Sequence, residues 1–285
     1  MDNKISYQIY ATLIDGFTDY LKSDVIWETY WGNSQEPPHT PEEFQQIQFQ
    51  SFIDRINRVP FDSEPADKGT AFNELIDCLV EHRKPAEGFE FERLYKTEVI
   101  HHPERMGIND NMDIAPAWDE TRVTDEVVGI KAKYNNREFT FDIKLCREFS
   151  SYYKGALTQQ FVEAILPTEF GNVRLYGYID ELLPLSCHDI KTTGRYSFGK
   201  FKDHAQHLVY PYCLMQNGMD IRTFEYNIAQ IDKYGRWESF TESYAFVPER
   251  DIPILRAKVE DLIRFLNFHK DLITDKKIAP IWSVA

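Results

Sequence analysis

An α/β fold is predicted, with a central mixed β-sheet flanked by helices and a helical N-terminal extension. Three observations carry this expectation. Strand-like alternation appears in EFTFDIKL around Phe139–Leu145 and again in VRLYGYIDELL. A strong amphipathic helix opens at Gly69 in GTAFNELIDCLVEHR, with Phe72, Leu75, Ile76 and Leu79 as its apolar stripe. A second amphipathic helix runs from about Asp251 to Leu272, with Leu255, Val259, Leu262 and Leu266 on one face.

In chain order, Ile5, Ile9, Leu13 and Phe17 recur at helical spacing and predict a first helix. Thr40 followed by Pro41 reads as the N-cap and first position of a second helix through EEFQQIQFQSFIDRI, ended by Pro60. Residues 85–150 read as mixed strands and loops, and His101-His102 before Pro103 as loop. GALTQQFVEAIL, residues 155–166, reads as a helix, with Glu163 able to approach the strand that follows. VRLYGYIDELL and CHDIKTT then read as two strands joined at Pro184-Leu185, followed by a helix over about Phe201–Gln216 that contains Pro211. Thr223–Ile231 and Trp237–Ala245 predict a strand pair turning through DKYGR. The division expected is a helical extension over 1–66 and a main domain over 67–285, the whole forming one compact unit.

Composition narrows the class. Hydrophobic residues make up 42% of 285, enough for a real core. No apolar run reaches membrane-spanning length and the N-terminus lacks a leader pattern, so a cytoplasmic protein with no membrane partner is expected. Cys78, Cys146, Cys187 and Cys213 are widely spaced and read as free thiols rather than a zinc or iron–sulfur site. The formal charge of -14 opposes non-specific attraction to nucleic acid, although metal ions reverse the local sign at a carboxylate cluster.

The chemistry concentrates between Arg174 and Tyr210. A two-residue turn at Pro184-Leu185 pairs Leu183 with Ser186 and brings Asp180 opposite Asp189. Asp189 and Lys191 are two apart on one strand and share a face. Two close carboxylates repel unless a cation compensates them. Hard Mg²⁺ or Mn²⁺ suits such oxygens, and a lysine beside them suits an attacking water or a developing negative charge.

GYIDELLPLSCHDIKTT is similar to the core motif of the PD-(D/E)XK nucleases, an Asp followed after a gap by Asp or Glu, one residue, and Lys. Gly177-Tyr178-Ile179-Asp180 resembles the RecB-like, phage-type exonuclease branch, which also carries Gln-xxx-Tyr on the next helix, here Gln206 and Tyr210. An upstream motif of that branch has Gly, three residues, then a metal-binding His or Glu. Here Gly69 is followed by Asn73 at that position and by Glu74 after it, a departure that leaves the third ligand open among Asn73, Glu74 and Glu163.

The resemblance covers roughly Gly69 to Tyr210. It implies a restriction-endonuclease-like core and a metal-dependent deoxyribonuclease, an exonuclease at DNA ends in recombination, repair or phage DNA processing. It further implies metal at Asp180, Asp189, the Ile190 carbonyl and Glu74, with Lys191, Gln206 and Tyr210 completing the catalytic set. DNA is the expected partner, with a recombination partner protein possible. In KTTGRYSFGKFKDH, Arg195, Lys200 and Lys202 among Tyr196 and other aromatics suit phosphate contact and base stacking. The alternative is a DNA-binding or recombination-adaptor module that keeps the fold without the chemistry.

Overall fold

The computed structural model describes residues 4–103, 105–106, 114–115 and 117–284. The elements in order are β1 (Ile5–Tyr10), α1 (Ala11–Leu21), α2 (Ser23–Trp31), α3 (Pro41–Ile56), α4 (Glu64–Glu81), β2 (Glu90–His102), β3 (Arg105–Met106), β4 (Ile114–Ala115), β5 (Trp118–Tyr134), β6 (Arg137–Asp142), α5 (Ile143–Tyr152), β7 (Leu157–Thr168), β8 (Gly171–Leu183), β9 (Ser186–Thr193), α6 (Gln206–Gln216), β10 (Thr223–Ile231), β11 (Trp237–Ala245) and α7 (Pro248–Phe268). Short 3₁₀ turns follow α7. Among the described residues no helix is long and apolar enough to cross a membrane.

A six-stranded mixed sheet has the order β1-β8-β9-β10-β11, with β7 also paired to β8. Strand β8 is antiparallel to β7 and β9 and parallel to β1, while β9 and β10 run parallel. Along β10 the side chains alternate between two cores, as a pleat requires. Phe224, Tyr226 and Ile228 enter one core with α1, α3, α6 and α7. Ala229 and Ile231 enter the other with α4, α5 and the smaller sheet β2-β5-β6. The central sheet therefore carries helices on both faces.

Local chemistry sets the helix ends. Thr40 and Glu43 form a reciprocal capping box and Pro41 occupies the first turn of α3. The Ser63 hydroxyl caps α4 by accepting from the Ala66 N–H at 3.3 Å. Pro211 lies within α6, which continues through it to Gln216.

Two predicted helices are strands. Ile5–Tyr10 is β1, and Tyr7 and Ile9 are buried from it. Residues four apart share a face in a helix and in a strand alike, so Ile5 and Ile9 fit both periods. The helix starts only at Ala11, and the N-terminal segment is not purely helical: it supplies a strand of the central sheet and shares its core. Residues 157–168 are likewise β7, burying Val162, Ala164 and Leu166 in alternation. Phe161 and Ile165, on the opposite face of β7, stay exposed although their four-residue spacing also fits a helix. His101 and His102 lie in β2 rather than a loop, paired across the ribbon with Asp119 and Glu120.

Candidate active site at the fork of the central sheet

One edge of β8 is shared by two strands. β1 pairs with it from Asn172 to Tyr176, and β9 from Glu181 to Leu183. The turn at Pro184-Leu185 pairs Leu183 with Ser186, but the ladder stops at Glu181–His188. From Asp189 onward β9 is held by β10 alone, and β1 turns away into α1 after Tyr10. The fork left between the strands is a cleft of about 460 Å³. It is lined by Tyr10, Ala11, Thr12, Arg58, Asn73, Tyr176, Gly177, Tyr178, Asp180, Asp189, Ile190, Lys191, Gln206 and Tyr210.

Where the ladder stops, the Asp180 carboxylate replaces it. Its Oδ2 accepts from the Ile190 N–H at 2.8 Å and from Asn73 Nδ2 at 3.2 Å. Asp189, almost fully buried, accepts from Gln206 Nε2 on one oxygen and meets Lys191 Nζ at 2.6 Å on the other. Gln206 Oε1 accepts from Lys191 Nζ at 2.8 Å. An amide is suited to this bridge because it presents a donor to the acid and an acceptor to the lysine. Gln206 Nε2 also lies 3.3 Å from Tyr210 Oη, one helical turn on.

Three details hold these side chains in place. The Asp15 carboxylate, buried on α1, accepts from the Ala205 N–H and so fixes the start of α6 just before Gln206. Gly177 lets the Tyr210 ring approach β8 closely: a Cβ there would meet Tyr210 Cε1 at 2.7 Å. Gly69 similarly lets α4 cross close to β9, since a Cβ would lie 3.1 Å from Thr192 Oγ1.

The electrostatics follow from burial. Asp180 titrates well above the usual carboxylate range, first because it is desolvated and then because of the Asp189 charge. Burial pulls Lys191 down, but Asp189, Asp180 and Asp15 outweigh it and hold the ammonium above its ordinary value. The lysine is therefore charged, and two acids compete for one cation.

The structure brings Asp180, Asp189, Ile190, Lys191, Gln206 and Tyr210 together. At Ile190 it is the backbone N–H that engages Asp180. Glu74 does not join them. Its carboxylate is held by Arg83 at 2.5 and 2.9 Å and by the Ala86 N–H at 2.7 Å. Adjacent helix residues project about 100° apart, so Asn73 faces the cleft and Glu74 does not. Glu163 pairs with Arg174 on β8.

Arg195, Tyr196, Lys200 and Lys202 line a different part of the surface. Lys200 Nζ folds back onto Thr193 Oγ1 and the Arg195 carbonyl, and Tyr196 donates its hydroxyl to Glu242 at 2.8 Å and packs on Phe240. Lys202 is exposed. Sequence reasoning missed Tyr10, Thr12, Arg58, Tyr176 and Tyr178; only the tyrosines before and after Gly177 lay next to a recognisable motif.

The donor set fits a hard divalent cation in part. Asp180 and Asp189 supply two carboxylates, and the buried Oδ1 of Asn73 has no hydrogen-bond partner. Among the described residues no three His, Cys, Asp or Glu side chains converge as a ligand group. Mg²⁺ commonly takes one or two carboxylates and completes its shell with water and substrate phosphate, so a two-acid site with an amide oxygen is compatible.

No family model matches the chain, and no curated protein matches it. One solved structure, titled "Crystal structure of SSO0001", aligns over 42% of this chain at 15% identity with a TM-score of 0.31. The chain spans about half of that structure's length, 56%.

Proposed function

We infer that this chain is a Mg²⁺- or Mn²⁺-dependent deoxyribonuclease with a restriction-endonuclease-like core, an exonuclease acting at DNA ends. The single observation that supports the reading is the meeting of Asp180, Asp189 and Lys191, with Gln206 between acid and lysine, on the floor of an open cleft. Asp180 and Asp189 would hold the ion, with Asn73 Oδ1 as a weaker third donor. The ion's contribution would be to lower the pKa of a bound water and offset charge on the scissile phosphate. Lys191 stabilises the negative charge that builds on the phosphate oxygens. Gln206 keeps that lysine aimed, and Tyr210 keeps Gln206 from rotating away.

The experiment is digestion of end-labelled linear duplex and closed circular DNA with Mg²⁺, Mn²⁺ or EDTA, using the wild type and Lys191→Ala. Metal-dependent loss of the linear DNA alone, abolished in the variant, is the expected result. Cutting of the circle makes the same residues those of an endonuclease. Asn73 at the position where a His or Glu ligand is expected favours one second reading, a DNA-binding or adaptor module. A folded wild type that binds DNA and cuts nothing with either metal would select it.

A further inference from the structure

The cleft does not end at the carboxylates. A second cleft of about 590 Å³ adjoins it and shares two lining residues, Tyr10 and Arg58. Its walls are α3, through Ile47, Gln50, Asp54 and Arg55, and the segment Arg58–Phe61 that leaves α3. This wall is unusually apolar for a surface: Phe61 is 83% exposed, Val59 50% and Ile47 44%.

Arg58 stands at the junction for an identifiable backbone reason. Helix α3 ends in a Schellman motif, in which the Val59 N–H donates to the Asp54 carbonyl at 2.9 Å and the Arg58 N–H to the Arg55 carbonyl at 3.2 Å. Arg58 thus occupies the left-handed position, with φ of 55°, where glycine is the usual residue. An arginine there is less favourable for the backbone than glycine, but it places a guanidinium over the cleft. That group donates to Tyr176 Oη at 3.3 Å, pairs with Asp275 at 2.7 Å and stays 53% exposed. Asp54, the one acid among the described residues that line the second cleft, is engaged by Gln50 at 2.8 Å.

In a chain of net charge -14, a polyanion must be held by specific cations rather than by the general field. We propose that the second cleft is the track for a single DNA strand running to the carboxylates, with Arg58 gripping the phosphate next to the scissile one and Phe61 stacking an unpaired base. This rests on the nuclease reading and adds to it a substrate form, an unpaired strand. A charged fork beside a rigid exposed ring is the combination that single-strand sites use, and stacking on one ring tolerates any base.

The test is fluorescence anisotropy in EDTA with a labelled oligothymidylate, long enough to overfill a footprint of about 4–16 nucleotides, and with a blunt duplex. Arg58→Gly relieves the left-handed backbone but gives up the Asp275 pair and the Tyr176 hydrogen bond, so its thermal midpoint should stay close to that of the wild type. Its oligothymidylate affinity should fall about tenfold, and the slope of log K against log salt should drop by about 0.7, one phosphate contact. Phe61→Ala should weaken binding about fivefold or more with little change in that slope. Duplex binding should be weaker than single-strand binding. Unchanged affinity in both variants, or a loss in Arg58→Gly only alongside a lower melting midpoint, overturns the track. Duplex binding tighter than single-strand binding overturns the substrate form. If the variants bind like wild type while Lys191→Ala still abolishes cleavage, the nuclease reading survives and the track does not. A wild type that neither binds nor cuts DNA removes both.

Discussion

Two acid pairs use consecutive residues of β8 and are treated differently. Asp180 meets Asp189 at the cleft, where a backbone N–H, two side-chain amides and the Lys191 ammonium all reach the carboxylates. Glu181 meets Asp77 in the interior. Glu181 has no exposed surface, and neither of its oxygens has a hydrogen-bond partner among the described residues. Burial first, then the Asp77 charge, pushes Glu181 up to about 9, and burial pushes Asp77 up to about 7. Both pairs are desolvated, but the first meets its cation at 2.6 Å and opens to a cleft, whereas Arg83 reaches only Asp77 of the second, at 3.7 Å. The lesson is that burial alone makes an acid neutral and silent. A functional carboxylate pair also needs a compensating charge and a route to solvent.

Removing the compensating charge is the strongest way to break this contrast. Lys191→Ala should lower metal-dependent cleavage by about 100-fold or more while leaving the fold intact, read by initial rates beside a circular dichroism melt. Gly177→Ala should come next. The added methyl collides with the Tyr210 ring, and overpacking of this kind costs about 1–3 kcal/mol, measurable as a lower denaturant midpoint. The same change should reduce cleavage, because Tyr210 supports Gln206.

A smaller effect sharpens the comparison from the metal side. Asn73→Glu adds a carboxylate beside Asp180, and Mn²⁺ affinity by calorimetry should rise about tenfold. An unchanged affinity would mean that position 73 lies outside the ligand set.

The sealed pair predicts a pH effect instead. Asp77 and Glu181 titrate higher folded than unfolded, so between about pH 4 and their folded values the unfolded chain holds fewer protons. Their contribution to stability is complete below the unfolded pKa and is lost as pH rises through about 7 for Asp77 and about 9 for Glu181. Glu181→Gln should flatten the fall in melting temperature between pH 5 and 9 relative to wild type. An identical slope in both proteins would show that Glu181 is ionised in the folded state.

The hairpin around the candidate site was largely legible in the sequence. Pro184-Leu185 sets a two-residue turn, the turn fixes the pairing of Leu183 with Ser186, and strand period places Asp189 and Lys191 on one face. Gln206 and Tyr210 were legible because four residues make one helical turn. Glu74 was misplaced for the converse reason: on a helix, one position of difference is enough to aim a side chain at Arg83 instead of the cleft. The basic loop at Arg195–Lys202 matched a nucleic-acid composition, yet its Tyr196 clasps Glu242 and its Lys200 folds onto its own loop. Composition does not report where a loop lies.

By itself the sequence determined the turn chemistry, the helix cap at Thr40, the apolar stripes of α4 and α7 and the order of the acid, lysine and glutamine residues. These depend on contacts within a few residues, which local periodicity and side-chain chemistry dictate. The tertiary structure alone decided that Ile5–Tyr10 and Leu157–Thr168 are strands, that β8 is shared between β1 and β9, and that the gap between them becomes a cleft. It also decided that Arg58, 122 residues before Asp180 in the chain, lines the same cleft. Edge sharing and long-range approach depend on which partner strand satisfies a backbone hydrogen bond, and no local pattern carries that information.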